Sequence, residues 1–243
     1  MKRTSVVMTS SMFLFLSIAI ILSSCGGGGG GGSSAPAGVS LVGTWFGTLE
    51  DASGTLATLQ VTVNANNTVT DEKVNGSATG VTHTISLASG QTQVYDATGS
   101  DGTSGGFFAD STGTHVVFTN DIADFAVLQK GATSLPTYAT ADFVGSWSGF
   151  TVELNSSGGI ETYNSNATVQ SNGAISGSNK YGSFSGSFTG SIDTTYGGAW
   201  GDITSPASEF IGTFLSADKT FAGTYACPSS GTWDQCSWSA WRK

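Results

Sequence analysis

The chain has 243 residues, 17 of them acidic and 8 basic, and a formal net charge of −9 with only 10% charged side chains. A binder of nucleic acid or another polyanion is excluded, because that work needs clustered Lys and Arg, and beyond Lys2 and Arg3 the only adjacent pair is Arg242 and Lys243. An acidic balance with few charges fits a solvated, exported protein.

Lys2 and Arg3 precede an apolar run over residues 12–22, and the small residues Ser23 and Ser24 follow it. The run falls short of the roughly 20 apolar residues a spanning helix needs, so residues 1–24 read as an export signal rather than an anchor. Leu22-Ser23-Ser24-Cys25 resembles the lipobox of bacterial lipoproteins. The resemblance implies cleavage before Cys25, acylation of that cysteine with chains such as palmitate, and attachment to a membrane through them. Gly26 stands where an aspartate commonly retains such proteins in the inner membrane, so the outer membrane is the expected address. Losing Lys2 and Arg3 with the signal takes the formal charge to −11. Residues 26–32 are all glycine, and residues 25–38 as a whole read as the acylated cysteine and a flexible Gly/Ser tether that buries nothing against its own entropy. A phosphate-cradling glycine loop would need a preceding strand and a following Lys-Ser/Thr, and neither is present.

Beyond the tether the chain repeats itself. Val42-Gly43-Thr44-Trp45-Phe46-Gly47 returns as Val144-Gly145-Ser146-Trp147-Ser148-Gly149. Val63, Asn66, Val69 and Thr70 are matched by Val169, Asn172, Ile175 and Ser176, each 106 residues later. Gly106-Phe107-Phe108-Ala109 is answered by Gly212-Thr213-Phe214-Leu215, and Phe125 to Lys130 by Trp238 to Lys243. The repeat unit is therefore a whole domain, at 39–134 and again at 138–243. Residues 133–141, with Pro136, link the halves and are expected to act as a hinge between domains that fold independently.

Strand signals dominate both halves. Ala57, Leu59, Val61 and Val63 alternate with Thr58, Gln60 and Thr62, and Val81, His83, Ile85 and Leu87 alternate with Thr82, Thr84 and Ser86. Turn clusters such as Asn64 to Asn67 and Ser171-Asn172-Gly173 separate the segments, and no window outside the signal has helical periodicity. About eight strands fall in each half, one of them predicted over 191–203. An open sheet of hairpins would leave two exposed edges, and closure removes them. The expected fold is all-β: two tandem small up-and-down antiparallel β-barrels after the signal and tether.

The Gly-X-Trp starts at Gly43-Thr44-Trp45 and Gly145-Ser146-Trp147 resemble the strand openings of lipocalins and avidin-like proteins. The resemblance implies that Trp45 and Trp147 pack across one end of each barrel or line its lumen. His83 and His115 are the only histidines, and His83 shares the apolar phase of its strand, which points it into the barrel toward a ligand or a hydrogen-bond partner. No His, Cys or acidic cluster has metal-ligand spacing, and no Ser/His/Asp setting is recognisable, so neither metal, cofactor nor catalytic residue is expected. The loop from Asp96 to Gly102 departs from the calcium-loop pattern and reads as a solvated turn. Cys227 and Cys236, near the facing ends of the last two strands, are expected to form a disulfide. These features favour a non-catalytic binding module for a small apolar or sugar-like ligand or an envelope protein. The alternative is a structural or interaction lipoprotein whose barrels are filled by Phe107, Phe108, Phe184, Phe188 and Phe214.

Overall fold

The computed structural model describes residues 38–154, 160–229 and 231–243. The export signal, Cys25 and all of the tether before Gly38 lie outside the described residues. The first half supplies β1 (Gly43–Glu50), β2 (Leu56–Val63), β3 (Thr68–Val74), β4 (Ser77–Ala78), β5 (His83–Leu87), β6 (Val94–Gly99), β7 (Ser104–Ala109), β8 (His115–Asn120) and β9 (Phe125–Lys130). All pairings are antiparallel between chain neighbours, β9 returns to β1, and β2 pairs with β3, so the ring closes. The two-residue β4 pairs only with β3 and is an appendage to the eight strands of the ring. Ladder pairing between β3 and β5 is short, with Thr68 opposite Thr84 and Val69 opposite His83.

The second half forms a closed barrel of β10 (Gly145–Leu154), β11 (Ile160–Val169), β12 (Ala174–Asn179), β13 (Gly182–Phe188), β14 (Gly198–Ser205), β15 (Glu209–Leu215), β16 (Phe221–Pro228) and β17 (Ser237–Arg242). The strand expected over 191–203 starts later, at Gly198. Asp193 Oδ1 accepts the backbone N–H groups of Thr195 and Tyr196, and Gly197 at φ +67° completes a turn that the β-rich local composition masks. Two short helical turns also escaped the periodicity, α1 (Thr140–Phe143) and a 3-10 turn at Trp233–Gln235.

The repeated opening has a structural reason. Gly43 and Gly145 sit at φ +139° and +136°, a backbone region that strains any side chain. Each precedes by two residues a tryptophan that is buried, Trp45 and Trp147. Trp45 Nε1 donates to Leu41 O at 2.7 Å and Trp147 Nε1 to Phe143 O at 2.8 Å. Lys130 and Lys243 lay their ammonium groups over the two indoles, at 5.3 and 5.4 Å from the ring centroids.

The halves share a packed seam. Outward-facing Val94, Phe108, Val117, Phe125 and Val127 of the first barrel pack with Val152, Phe214, Phe221, Tyr225, Trp238 and Ala240 of the second in one buried cluster. A Cβ on Gly223 would stand 2.5 Å from Val127 Cγ2 and 2.8 Å from Val117 Cγ2, which is how closely the sheets approach. The expectation that each barrel buries its core without the other is corrected here, because strands β8 and β9 are apolar on both faces and need a second cover. The expected hinge is likewise a packed strap. Tyr138 is 1% exposed, its N–H donates to Thr194 O, and its hydroxyl reaches Leu215 O and Ser216 O at 3.4 and 3.3 Å.

Charge is buried at the same seam. His115 Nδ1 lies 2.9 Å from Asp110 Oδ2 on its own barrel, and His115 Nε2 lies 2.9 Å from Asp218 Oδ2 on the other. Each ring nitrogen thus faces a carboxylate oxygen, one from each barrel. Burial would raise the Asp110 carboxyl, but hydrogen bonds from His115, the Thr114 N–H and Thr112 outweigh it and hold the group well below the ordinary range. On the other side of the seam the Glu50 carboxylate, 4% exposed, accepts from Tyr225 Oη at 2.8 Å and from Trp200 Nε1 at 3.4 Å.

Candidate functional site

Register lets the two lumens be compared position by position. In the first barrel Leu49, Leu59, Val61, Phe107 and Phe118 point inward and belong to a single buried core with Trp45 and Leu128. The cross-strand partners that define those positions are reproduced in the second barrel: Leu49 with Ala126 becomes Thr151 with Ser239, and Gly47 with Leu59 becomes Gly149 with Ser165. Trp45 with Val61 becomes Trp147 with Ala167, and Phe107 with Phe118 becomes Thr213 with Thr224. Five larger apolar side chains are thus replaced by one methyl and four hydroxylated ones on the same scaffold. The result is a cavity of about 260 Å³ inside the second barrel, close to the lower end of the roughly 300–1,000 Å³ of ordinary small-molecule pockets.

The cavity has three levels. Its floor is apolar: Trp147 and Trp241, 5% and 7% exposed, with Phe143 and Phe188 beside them. Around the waist Thr151 Oγ1 bridges Ser165 Oγ at 2.9 Å and Ser239 Oγ at 2.8 Å, and Thr213 Oγ1 meets Thr224 Oγ1 at 2.9 Å. Each hydroxyl keeps acceptor capacity for a guest. At the far end Asn179, Tyr181, Phe184 and Glu209 line the wall.

Outside that end sits an ionic cluster. Lys180 Nζ pairs with Glu153 at 3.1 Å and Glu161 at 2.8 Å, and lies 4.5 and 4.8 Å from the ring centroids of Tyr163 and Tyr181. Tyr163 and Tyr181 both donate their hydroxyls to Glu153. Hydrogen bonds from Lys180 to Glu161 and its neighbours raise the ammonium, while burial and then the Glu153 carboxylate raise the Tyr163 phenol. Glu209 is different. Burial and then the Glu153 charge push its carboxyl up, and among the described residues it accepts no hydrogen bond.

A second concavity, a cleft of about 790 Å³ between the barrels, is lined by Gln91, Gln93, Phe150, Tyr163, Asn166 and Arg242 among others. It is the wider and more polar of the two, and it lacks the indole floor of the lumen.

Of the residues singled out from the sequence as lining or filling a lumen, Trp147, Phe184 and Phe188 reach the cavity. Trp45 is part of the filled core of the first barrel. His83 points inward as its phase required and pairs with Glu72 at 2.7 Å, edge-on to Phe118. Phe107 fills the first barrel, and Phe184 and Phe188 wall the cavity, but Phe108 and Phe214 face outward into the seam between barrels. Adjacent residues on a strand point to opposite faces, so Phe107 and Phe108 cannot both fill one lumen. Cys227 and Cys236 are disulfide-bonded, nine residues apart. Asp101 Oδ1 accepts from the backbone and hydroxyl of Thr103 and so closes its own turn. Among the described residues no group of three or more His, Cys, Asp or Glu is placed to hold a metal ion. Glu209 was legible in principle, because it shares the inward phase of Ile211 and Thr213 on β15.

No protein-family model matches the chain, and no curated protein matches it. Two solved structures are similar in fold. One is a protein of unknown function of the DUF3598 family from Nostoc punctiforme PCC 73102, at 14% identity and a TM-score of 0.37, covering 83% of this chain and 96% of that one. The other is a point mutant of the vaccine antigen transferrin binding protein B from Haemophilus parasuis Hp5, at 9% identity and a TM-score of 0.37, covering 80% of this chain. The aligned region spans 43% of that protein's length. Likeness at this level carries no argument about what the chain binds.

Proposed function

We propose that the protein is a non-catalytic, lipid-anchored binding module of the bacterial outer membrane, whose second barrel takes a small, largely apolar ligand in its lumen. One observation carries the reading: a filled barrel and a hollow one on a duplicated scaffold, with the hollow one floored by indoles and belted by hydroxyls. Emptying a lumen costs stability through lost packing, and a cavity maintained against that cost, with convergent polar groups, is the ordinary design of a ligand site. The first barrel supports a second, structural reading for its own half, as a filled body that covers the outer faces of β16 and β17. The lipid anchor rests on the residues before Cys25.

Native mass spectrometry of the protein extracted from its own envelope tests the ligand. A small-molecule adduct is expected on the wild type and absent from a Ser165→Leu/Thr224→Phe double variant, which restores the side chains of the filled barrel. An adduct that survives the double variant, or none on either protein, overturns the lumen reading. Metabolic labelling with a palmitate analogue tests the anchor: label is expected on the wild type and lost in Cys25→Ala, and label retained by the variant overturns it.

A further inference from the structure

The mouth of the second barrel holds three glutamates, and two of them already have a cation. Lys180 is shared between Glu153 and Glu161, and Glu153 takes two tyrosine hydroxyls besides. Glu209 lines the cavity itself, is half-buried beside Phe184 and Ile211, and accepts no hydrogen bond among the described residues. A carboxylate in that setting is costly unless something donates to it. Lys180 is already engaged by Glu153 and Glu161, so a donor carried by whatever fills the cavity would find Glu209 open to it. The cavity below is apolar at its floor and offers hydroxyl groups at its waist.

Building on the lumen-binding reading, we infer that the guest is a small amine, with an apolar or aromatic body seated on Trp147 and Trp241 and an ammonium head donating to Glu209. An anionic head would meet Glu209 and Glu153 with like charge, and a neutral one would leave Glu209 without a charged partner. The aromatic rings of Tyr181 and Phe184 near the mouth add π-faces on which a cation is favoured. A protein of net charge −9 also attracts cations rather than anions toward that mouth.

Isothermal titration of the protein with 4-phenylbutylamine, 4-phenylbutanol and 4-phenylbutyrate at neutral pH separates the parts of this inference. The amine is expected to bind on the order of tenfold or more tighter than the alcohol, the ratio a charge-assisted hydrogen bond supplies, and the carboxylate weakest. In Glu209→Gln the amine should fall to the Kd of the alcohol while the alcohol is unchanged, and in Glu153→Gln the preference should survive. If the alcohol or carboxylate binds as tightly as the amine, or the preference survives Glu209→Gln, the ammonium assignment is overturned while the lumen reading stands. If none of the three binds up to millimolar concentration, the lumen reading fails with it. The comparison of the three ligands on the wild type needs no variant to fold.

Discussion

The two barrels share an opening motif, a capping tryptophan under a lysine, and the same cross-strand register, yet one is packed solid and the other is hollow. The difference lies in a handful of inward positions, Leu49, Leu59, Val61, Phe107 and Phe118 against Thr151, Ser165, Ala167, Thr213 and Thr224. Both barrels also bury apolar surface in the seam between them, so the second barrel's packing does not rest on its lumen alone.

Exchange at matched positions should break the comparison most visibly. Phe118→Thr in the filled barrel removes a core ring and should cost about 3 kcal/mol or more, within the range for large-to-small core changes. The reverse exchange, Thr224→Phe, should be neutral or stabilising, since it fills space. Denaturant unfolding of both variants checks the asymmetry, and equal losses would mean that the second lumen is packed in solution. Next in size, Cys227→Ser opens the bond that closes a nine-residue separation and should cost about 2 to 3 kcal/mol. Cys236 belongs to the cluster shared by the barrels, so the loss should appear as one transition for the whole protein. A calorimetric scan with only half the heat displaced would instead mean that the barrels unfold separately.

The ionic clamp sharpens the same point. Asp110 and Asp218 both titrate below the ordinary carboxylate value of 3.8 when folded. For groups with a depressed folded value, the stabilisation is fully present above the unfolded value and is lost as pH falls through the folded one. Stability should therefore fall steadily on acidification below about pH 4. Asp110→Asn should cost about 2 kcal/mol at neutral pH and make the acid limb shallower, as measured by urea midpoints across pH. The smallest effect is expected where the barrels agree: Lys130→Ala and Lys243→Ala should each cost about 0.5 to 1 kcal/mol through the lost cation–π contact, and by the same amount. A large difference in melting temperature between these two variants would mean that the caps are not equivalent.

Much of this was legible in the sequence. The repeat, the strand phases of Ala57 to Val63 and the inward turn of His83 followed from period-2 alternation, and Cys227 and Cys236 from their place at two strand ends. The seam was not, because an outward Phe108 and an inward Phe107 look alike in composition and only strict phase separates them. The unbroken apolar run of Val116, Val117 and Phe118 on β8 was the available sign that one strand is covered on both sides. The cavity lay in the mismatches of the repeat. Matching Gly43 with Gly145 shows kinship, whereas Leu59 against Ser165 and Phe107 against Thr213 show divergence, and those are the informative pairs.

The direction in which the hollow barrel faces follows from the way the barrels lie side by side. Along β8, His115 at one end meets Asp218 and Asn120 at the other accepts from Trp233 Nε1, so the tryptophan-capped ends of both barrels lie on the same side. The described chain begins on that side, with Val39 against Gly113 and Leu41 against Trp45. The described chain thus starts at the tryptophan-capped end, and the Glu209 rim lies at the opposite pole of the second barrel.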